Sequence, residues 1–251
     1  MKLLSLIGFV TLSPLAIAWT HTGSNLRGWA TSQLVFSVNT ANCTIANAEL
    51  FSIIDEAINA WNGVPTANLS LSRSQVASTT TVAEFVALTA TDSPLIFCDP
   101  SFATSTGADS DYVPAAAQAF SDSSGELVYG GVYLNAQLGS GAEISGIQRS
   151  QMVIILAHEI GHVLGLGHSS NLKALMYYSV AGKTTPVIAQ DDMDGITHLY
   201  PRSEGASQAF GCAAVHRQND SVPMVWLVMA MASLLGTLGL GRFVFKPERL
   251  L

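Results

Sequence analysis

His158, Glu159, His162 and His168 are the side chains of this chain best suited to chemistry, and their spacing indicates which chemistry. On a helix, residues four apart leave the same face one turn above the other, so His158 and His162 can reach one ion together. Imidazole nitrogens bind zinc at ~2.0–2.1 Å, a separation this pair can satisfy. Glu159 points about 100° around the helix, too far to share the ion easily but well placed to touch a water beside it. Gly165 lets the chain leave the helix through a left-handed conformation, and His168 then returns as a third ligand. Three ligands leave one tetrahedral position open, which separates a catalytic zinc from a structural one.

A bare H-E-x-x-H occurs by chance in many helices; Gly165 and His168 make the pattern far more specific. The stretch from His158 to His168 resembles the metzincin zinc peptidases. The following run, His168-Ser169-Ser170-Asn171-Leu172-Lys173-Ala174-Leu175-Met176-Tyr177, resembles the matrixin branch, where an Ala-Leu-Met-Tyr run places a methionine beneath the metal. Met176 stands at that position. Asp191-Asp192-Met193-Asp194-Gly195-Ile196-Thr197-His198-Leu199-Tyr200 is similar to the matrixin C-terminal helix. The resemblance covers roughly Trp29 to Tyr200, densely from Ser150 onward. It implies an α+β metzincin fold: a mixed twisted sheet, an active-site helix, and a small C-terminal subdomain ending in a helix. It also implies one catalytic zinc, protein or peptide substrates, and a Met176 that packs under the imidazoles without ligating.

The elements that must position these residues are legible in part. Trp29 to Val38 alternates apolar Leu34, Phe36 and Val38 with polar neighbours and predicts a strand. Leu50, Ile53, Ile54, Ala57, Ile58 and Trp61 fall on one side of a helix over Asn47–Asn62, which ends at the breaker pair Asn62-Gly63. Leu69 to Leu71 and Leu95 to Phe97 predict short strands around a Ser/Thr-rich region. Val113 to Phe120 and Leu127 to Leu138 predict two more. The active-site helix is expected to open on a capping box, Ser145-Gly146-Ile147-Gln148. Val113 to Phe120 most resembles the matrixin edge strand that binds an extended substrate, and Pro114 is tolerable only near such an edge. The primed-side pocket is expected along Tyr177 to Gln190.

The chain ends carry different signals. Residues 1–18 read as a secretory signal: Lys2, an apolar run, then Ala16-Ile17-Ala18 as a cleavage site. The peptidase domain is expected over 19–202 and a polar linker over 203–220. Ser221 to Gly241 holds no charged residue, and as a helix it would span roughly 30 Å, one bilayer core. Residues 242–251 form a basic tail, so positive-inside logic places the enzyme outside the cytoplasm. Gly211-Cys212, the spacer, the apolar run and the basic tail together resemble bacterial sorting tails of the MYXO-CTERM kind, in which the cysteine is processed. Retention as a membrane anchor is the alternative. Either way the protein is expected to be exported to the cell envelope or beyond.

Hydrophobic residues make up 49% and charged residues 12%, a skew the two terminal segments largely explain. The net charge of −7, with no basic patch in the body, argues against a nucleic-acid partner. Oligomeric state is not legible. Cys43 and Cys98 could pair, as export allows, or be two small buried thiols; Cys212 is then odd.

Some positions depart from the matrixin pattern. Animal matrixins hold a second, structural zinc and calcium ions; here Gln118 and Tyr133 stand where histidines would fall. Asp99, Asp109, Asp111 and Asp122 could hold calcium, but solvated loop carboxylates are the simpler reading, so one zinc is expected and calcium stays open. About ten residues separate Ala18 from Trp29, leaving no room for a cysteine-switch propeptide between them. Tyr178 replaces a proline, and Met176-Tyr177-Tyr178 has the spacing by which the tyrosine of astacins and serralysins reaches the zinc or the transition state. Tyr178 could do the same or pack beside the pocket. Two rivals to an envelope-anchored zinc endopeptidase are a zinc-bearing adhesion module without turnover and a zinc amidase acting on cell-wall peptide. An intact Glu159 argues against the first.

Overall fold

The computed structural model describes residue 20 and residues 27–77, 81–89 and 93–202. The secretory segment, Cys212 and the apolar stretch 221–241 lie outside these residues. No helix among the described residues is long and apolar enough to cross a membrane.

The chain alternates β and α in the order β1 (Gly28–Trp29), β2 (Gln33–Asn39), α1 (Asn47–Asn62), β3 (Ser70–Gln75), α2 (Val82–Thr89), β4 (Leu95–Asp99), α3 (Phe102–Thr106), β5 (Ala115–Ser121) and β6 (Glu126–Asn135). A 3₁₀ turn at Ile144–Gly146, α4 (Arg149–Val163) and α5 (Gln190–Leu199) follow. Helix α1 has the predicted bounds because all six of its predicted apolar residues are buried. Asn62, its last residue, binds Leu71 N–H at 2.7 Å and Leu71 C=O at 2.9 Å, which pins β3 beside the helix end.

Strands β3, β2, β4 and β6 run parallel, β1 pairs in parallel with the start of β6, and β5 lies antiparallel along β6. The mixed α+β sheet is therefore as expected. One face carries Leu34, Phe36, Val38, Ile96, Cys98, Val132 and Leu134 against the apolar sides of α1 and α4. On the other, Leu95, Phe97 and Tyr133 form a second cluster with Phe102 of α3. Burial on both faces suits a parallel sheet. Three neighbouring strands stop in the same way. The side chains of Asn39, Asp99 and Asn135 accept from the N–H two residues on, at 2.8, 2.8 and 3.1 Å, and turn the chain out of the ladder.

Several predicted boundaries need correction. The strand expected over Trp29 to Val38 is two, because Ala30 to Ser32 leave the ladder before β2 begins. The last strand ends at Asn135, not Leu138, since the Asn135 turn intervenes and Leu138 is left exposed. Helices α2 and α3 fall in the region read as loop and short strands. The expected capping box does not form. Ile144 is buried and draws residues 144–146 into a 3₁₀ turn, and Glu143 takes both the N–H and the hydroxyl of Ser145. Gln148 is then the cap position of α4 and contributes no side-chain bond.

Cys43 and Cys98 are disulfide-bonded, with Cα atoms 5.1 Å apart and a sequence separation of 55. In the chain-entropy model such a closure contributes about 4 kcal/mol. It ties the loop before α1 to the central strand β4.

Candidate metal centre and cleft

Helix α4 is held by three side-chain donors that reach backbone carbonyls along it and at its end. Trp61 Nε1 donates to Ala157 O at 2.8 Å, Trp29 Nε1 to Val163 O at 2.9 Å, and Tyr200 Oη to Leu164 O at 2.9 Å. All three donors are buried. The last two satisfy carbonyls that a helix end leaves without an internal partner. Gly165 follows with φ of 105°, a conformation closed to most side chains, and the chain turns back toward His168. The residue described upstream of the sheet, Thr20, lies on this return: its C=O accepts from Gly167 N–H at 2.7 Å and its hydroxyl donates to His168 O at 2.8 Å.

The turn brings three imidazoles together. Ring centroids of His158, His162 and His168 lie 4.8 to 5.4 Å apart, and one nitrogen from each falls within 4.8 Å of the others. Among the described residues no other trio of potential ligands gathers so closely. His158 Nδ1 lies 2.8 Å from Leu175 O and His162 Nδ1 2.8 Å from Leu166 O. A carbonyl can only accept, so both Nδ1 atoms carry the proton and both Nε2 atoms present lone pairs. Those two Nε2 atoms sit 3.1 Å apart. Two facing lone pairs at that distance repel unless a cation lies between them. Ligands ~2.0–2.1 Å from a tetrahedral zinc would be about 3.3 Å apart, close to what is seen. Burial pushes the His158 pKa down to about 4 and that of His162 to about 3, and lowers that of His168. At neutral pH all three rings are uncharged, as metal ligation requires. The donor set fits zinc.

Glu159 opens toward the cleft but is crowded by protein, and this desolvation raises its pKa to about 8. The Ala117 N–H of β5 acts in the opposite sense, favouring the charged carboxylate. The cleft, about 520 Å³, is lined on one side by Gln151, Ile155, His158 and Glu159, successive positions on one face of α4. Tyr112 to Ala115 form one wall and Tyr178 to Ala181 another. Of the segment expected to line the pocket, only these last four residues do so. Tyr178 is exposed at the rim, its ring 4.2 Å from that of Tyr177.

Beneath the imidazoles, Met176 is buried against α4 at Gly161. A Cβ there would collide with Met176 Sδ and lie 2.8 Å from the Trp61 ring. Asp192 holds this turn in place. Its carboxylate accepts from Leu175 N–H at 2.7 Å, Met176 N–H at 3.0 Å and Ala189 N–H at 2.8 Å. Burial raises the Asp192 pKa while those three donors favour its charged form. Asp191 takes the Ser169 hydroxyl, and Ser169 N–H in turn donates to Met176 O at 2.7 Å. The roles of Asp191, Asp192 and Ser169, and the indole and phenol donors on α4, were missed in the sequence. The acidic pair at the start of a helix was the one signal for them.

The remaining predicted residues sit apart from the centre. Asp99, Asp109 and Asp122 each accept the backbone N–H two residues on, and Asp111 accepts from Gly141 N–H of a separate loop. Gln118 and Tyr133, the positions departing from the family's histidines, are joined to one another at 3.0 Å. His198 is exposed on α5.

Comparison with known proteins agrees with this geometry. A soybean (Glycine max) protein named Metalloendoproteinase 1 is 60% identical over 47 residues, 18% of this chain and 15% of its own. Interstitial collagenase of Oryctolagus cuniculus is 46% identical over 57 residues, 23% of this chain and 12% of its own. Metalloendoproteinase 5-MMP of Arabidopsis thaliana is 42% identical over 72 residues, 27% and 20% respectively. The chain thus aligns with a fifth or less of the length of each of these relatives. The family described as Matrixin matches residues 28–201, well over half of the chain. Matrixins are zinc metalloendopeptidases of metzincin fold, and with that match this chain belongs to the matrixin family.

Proposed function

We propose that this protein is an exported zinc endopeptidase in which His158, His162 and His168 hold the metal and Glu159 is the general base. The observation that carries the reading is the trio of uncharged imidazoles, two with facing unprotonated nitrogens, beside one desolvated carboxylate. When bound, zinc supplies Lewis acidity that makes water nucleophilic near neutral pH and polarises the scissile carbonyl. Glu159 accepts a proton from the attacking water at its carboxylate and delivers it to the departing amine nitrogen. Two of the imidazoles, His158 and His162, are fixed by Leu175 O and Leu166 O, so they need little reorganisation on binding metal. Among the described residues β5 pairs with β6 alone, which leaves its other edge open, and its first residue, Ala115, lines the cleft. An extended peptide can add there as a strand, its side chain entering the cleft between Tyr112 and Tyr178. Tyr178, at the rim, is proposed to donate its hydroxyl to the developing oxyanion.

Export is supported by residues 1–18 and by the Cys43–Cys98 bond, which suits an oxidising compartment. Anchoring at the envelope rests on the uncharged stretch 221–241 and the basic residues after it.

The full-length zinc-loaded protein is expected to cleave casein or gelatin, to lose activity on chelation, and to regain it when zinc is restored. A folded, zinc-loaded protein that cuts neither substrate would sink the endopeptidase and favour an adhesion module. For the tyrosine, Tyr178→Phe is expected to lower kcat about tenfold or more with little change in KM, the signature of a contact made only in the transition state. Unaltered turnover would leave Tyr178 as a rim residue.

A further inference from the structure

Strand β5 bears on both sides of the proposed chemistry, since its Ala117 N–H faces Glu159 and its first residue, Ala115, lines the cleft. Little in its own composition holds it still. Ala115, Ala116, Ala117 and Ala119 each offer one methyl group, and the ladder has a single partner strand. Two cross-strand side-chain pairs supplement that ladder. Phe120 packs on Tyr129 directly opposite, ring centroids 5.7 Å apart, at the exposed end. The other pair lies beside Ala117. Gln118 stands opposite Gly131, and its amide leans diagonally toward Tyr133. The Tyr133 hydroxyl donates to Gln118 Oε1 at 3.0 Å. The Tyr133 ring is itself fixed edge-on to Phe97, 4.5 Å away, inside the second core cluster. This face of the sheet is turned away from α4, so neither residue can touch a substrate in the cleft. Burial raises the Tyr133 pKa, which keeps the hydroxyl a donor across any working pH.

We infer that Tyr133 and Gln118 are positioning residues: their hydrogen bond, made behind the sheet, fixes the height of β5 and so the placement of Glu159 and of the substrate edge. The inference rests on the endopeptidase reading for its catalytic arm and on the fold alone for its dynamic arm.

The test compares Tyr133→Phe, Gln118→Leu, their combination and Gln118→Glu in the full-length zinc-loaded protein. Each single loss variant is expected to exchange the Ala117 amide about fivefold faster, the factor equivalent to one lost hydrogen bond. The same variants should lower kcat by about five- to tenfold through misplacement of the carboxylate, at unchanged zinc content. The combined variant should be no worse than either single one, and Gln118→Glu, which keeps an acceptor, should stay near the parent protein. Unchanged exchange and kcat in both single variants would overturn the inference, as would losses that simply add in the combined variant. Should Tyr133→Phe fail to fold, Gln118→Leu and Gln118→Glu carry the comparison. A parent protein that cuts no peptide would remove the endopeptidase reading, while the exchange data would still decide whether the pair sets the strand.

Discussion

Replacing Glu159 by glutamine is expected to lower kcat by about 10²- to 10⁴-fold while leaving KM within a few-fold and the zinc content intact. Glutamine is nearly the same size and can still accept from Ala117 N–H, so the cleft keeps its shape. The metal is held by imidazoles, and Glu159 points around the helix from them. What is lost is the group that takes a proton from water and returns it to the amine. Steady-state rates on one peptide, with metal analysis of the same sample, check this. A variant with near-normal kcat would show that another group moves the proton.

The same substitution has a second consequence in the metal-free protein. Burial raises the Glu159 pKa from 4.5 to about 8, so the stability linked to its protonated form is complete below pH 4.5 and lost as pH rises through 8. His158 and His162 act in the opposite sense: their pKa values fall from 6.5 to about 4 and 3, and their contribution is lost as pH falls through that range. Glutamine removes the alkaline loss alone. The melting temperature of metal-free Glu159→Gln should therefore exceed that of the metal-free parent at pH 8.5, with a smaller gap at pH 5. A gap independent of pH would contradict the assignment.

Asp192→Ala is expected to cost about 2–4 kcal/mol of stability and to weaken zinc binding by roughly tenfold. Three backbone N–H groups, of Leu175, Met176 and Ala189, lose their acceptor at once in a buried site. Each stranded donor costs about 1–3 kcal/mol, and the sum is reduced because an unfavourably buried carboxylate is removed with them. The loss reaches the metal because Leu175, whose N–H is freed, also offers the carbonyl that orients His158. A urea titration should show a lower midpoint with an unchanged slope, and competition with a chelating dye should show the weaker affinity. Retention of both would mean that the turn around Met176 holds itself.

How much of this was legible before folding depended on whether a feature is local. Helix α1 was read to the residue, because six apolar positions at helical spacing outweigh anything else in that stretch. The gathering of His158, His162 and His168 was legible as well, since four-residue spacing on a helix and a glycine that turns the chain back are local rules. Helix α2 was hidden in a Ser/Thr-rich region whose composition favours loops. The capping box failed because burial of Ile144 claimed residues 144–146 for another turn, a tertiary preference that no window of sequence shows. Asp192 was quoted only as part of a helix pattern. That a first-turn carboxylate reaches back to residues 175 and 176 depends on how α5 docks, and spacing says nothing about docking. The same holds for Gly161, whose reason lies in a sulfur atom fifteen positions further along.

Trp29 and Tyr200 meet where α4 ends: the Trp29 N–H donates to the Tyr200 hydroxyl at 3.1 Å, and each ring then donates to a carbonyl of the helix terminus. Residues 171 positions apart therefore clasp the spot from which the backbone departs to deliver His168. Two sequence-distant parts of the described body and the three histidines form a single closed circuit. Trimming either part toward a minimal fragment would open that circuit, and the loosening would be felt first at the third imidazole.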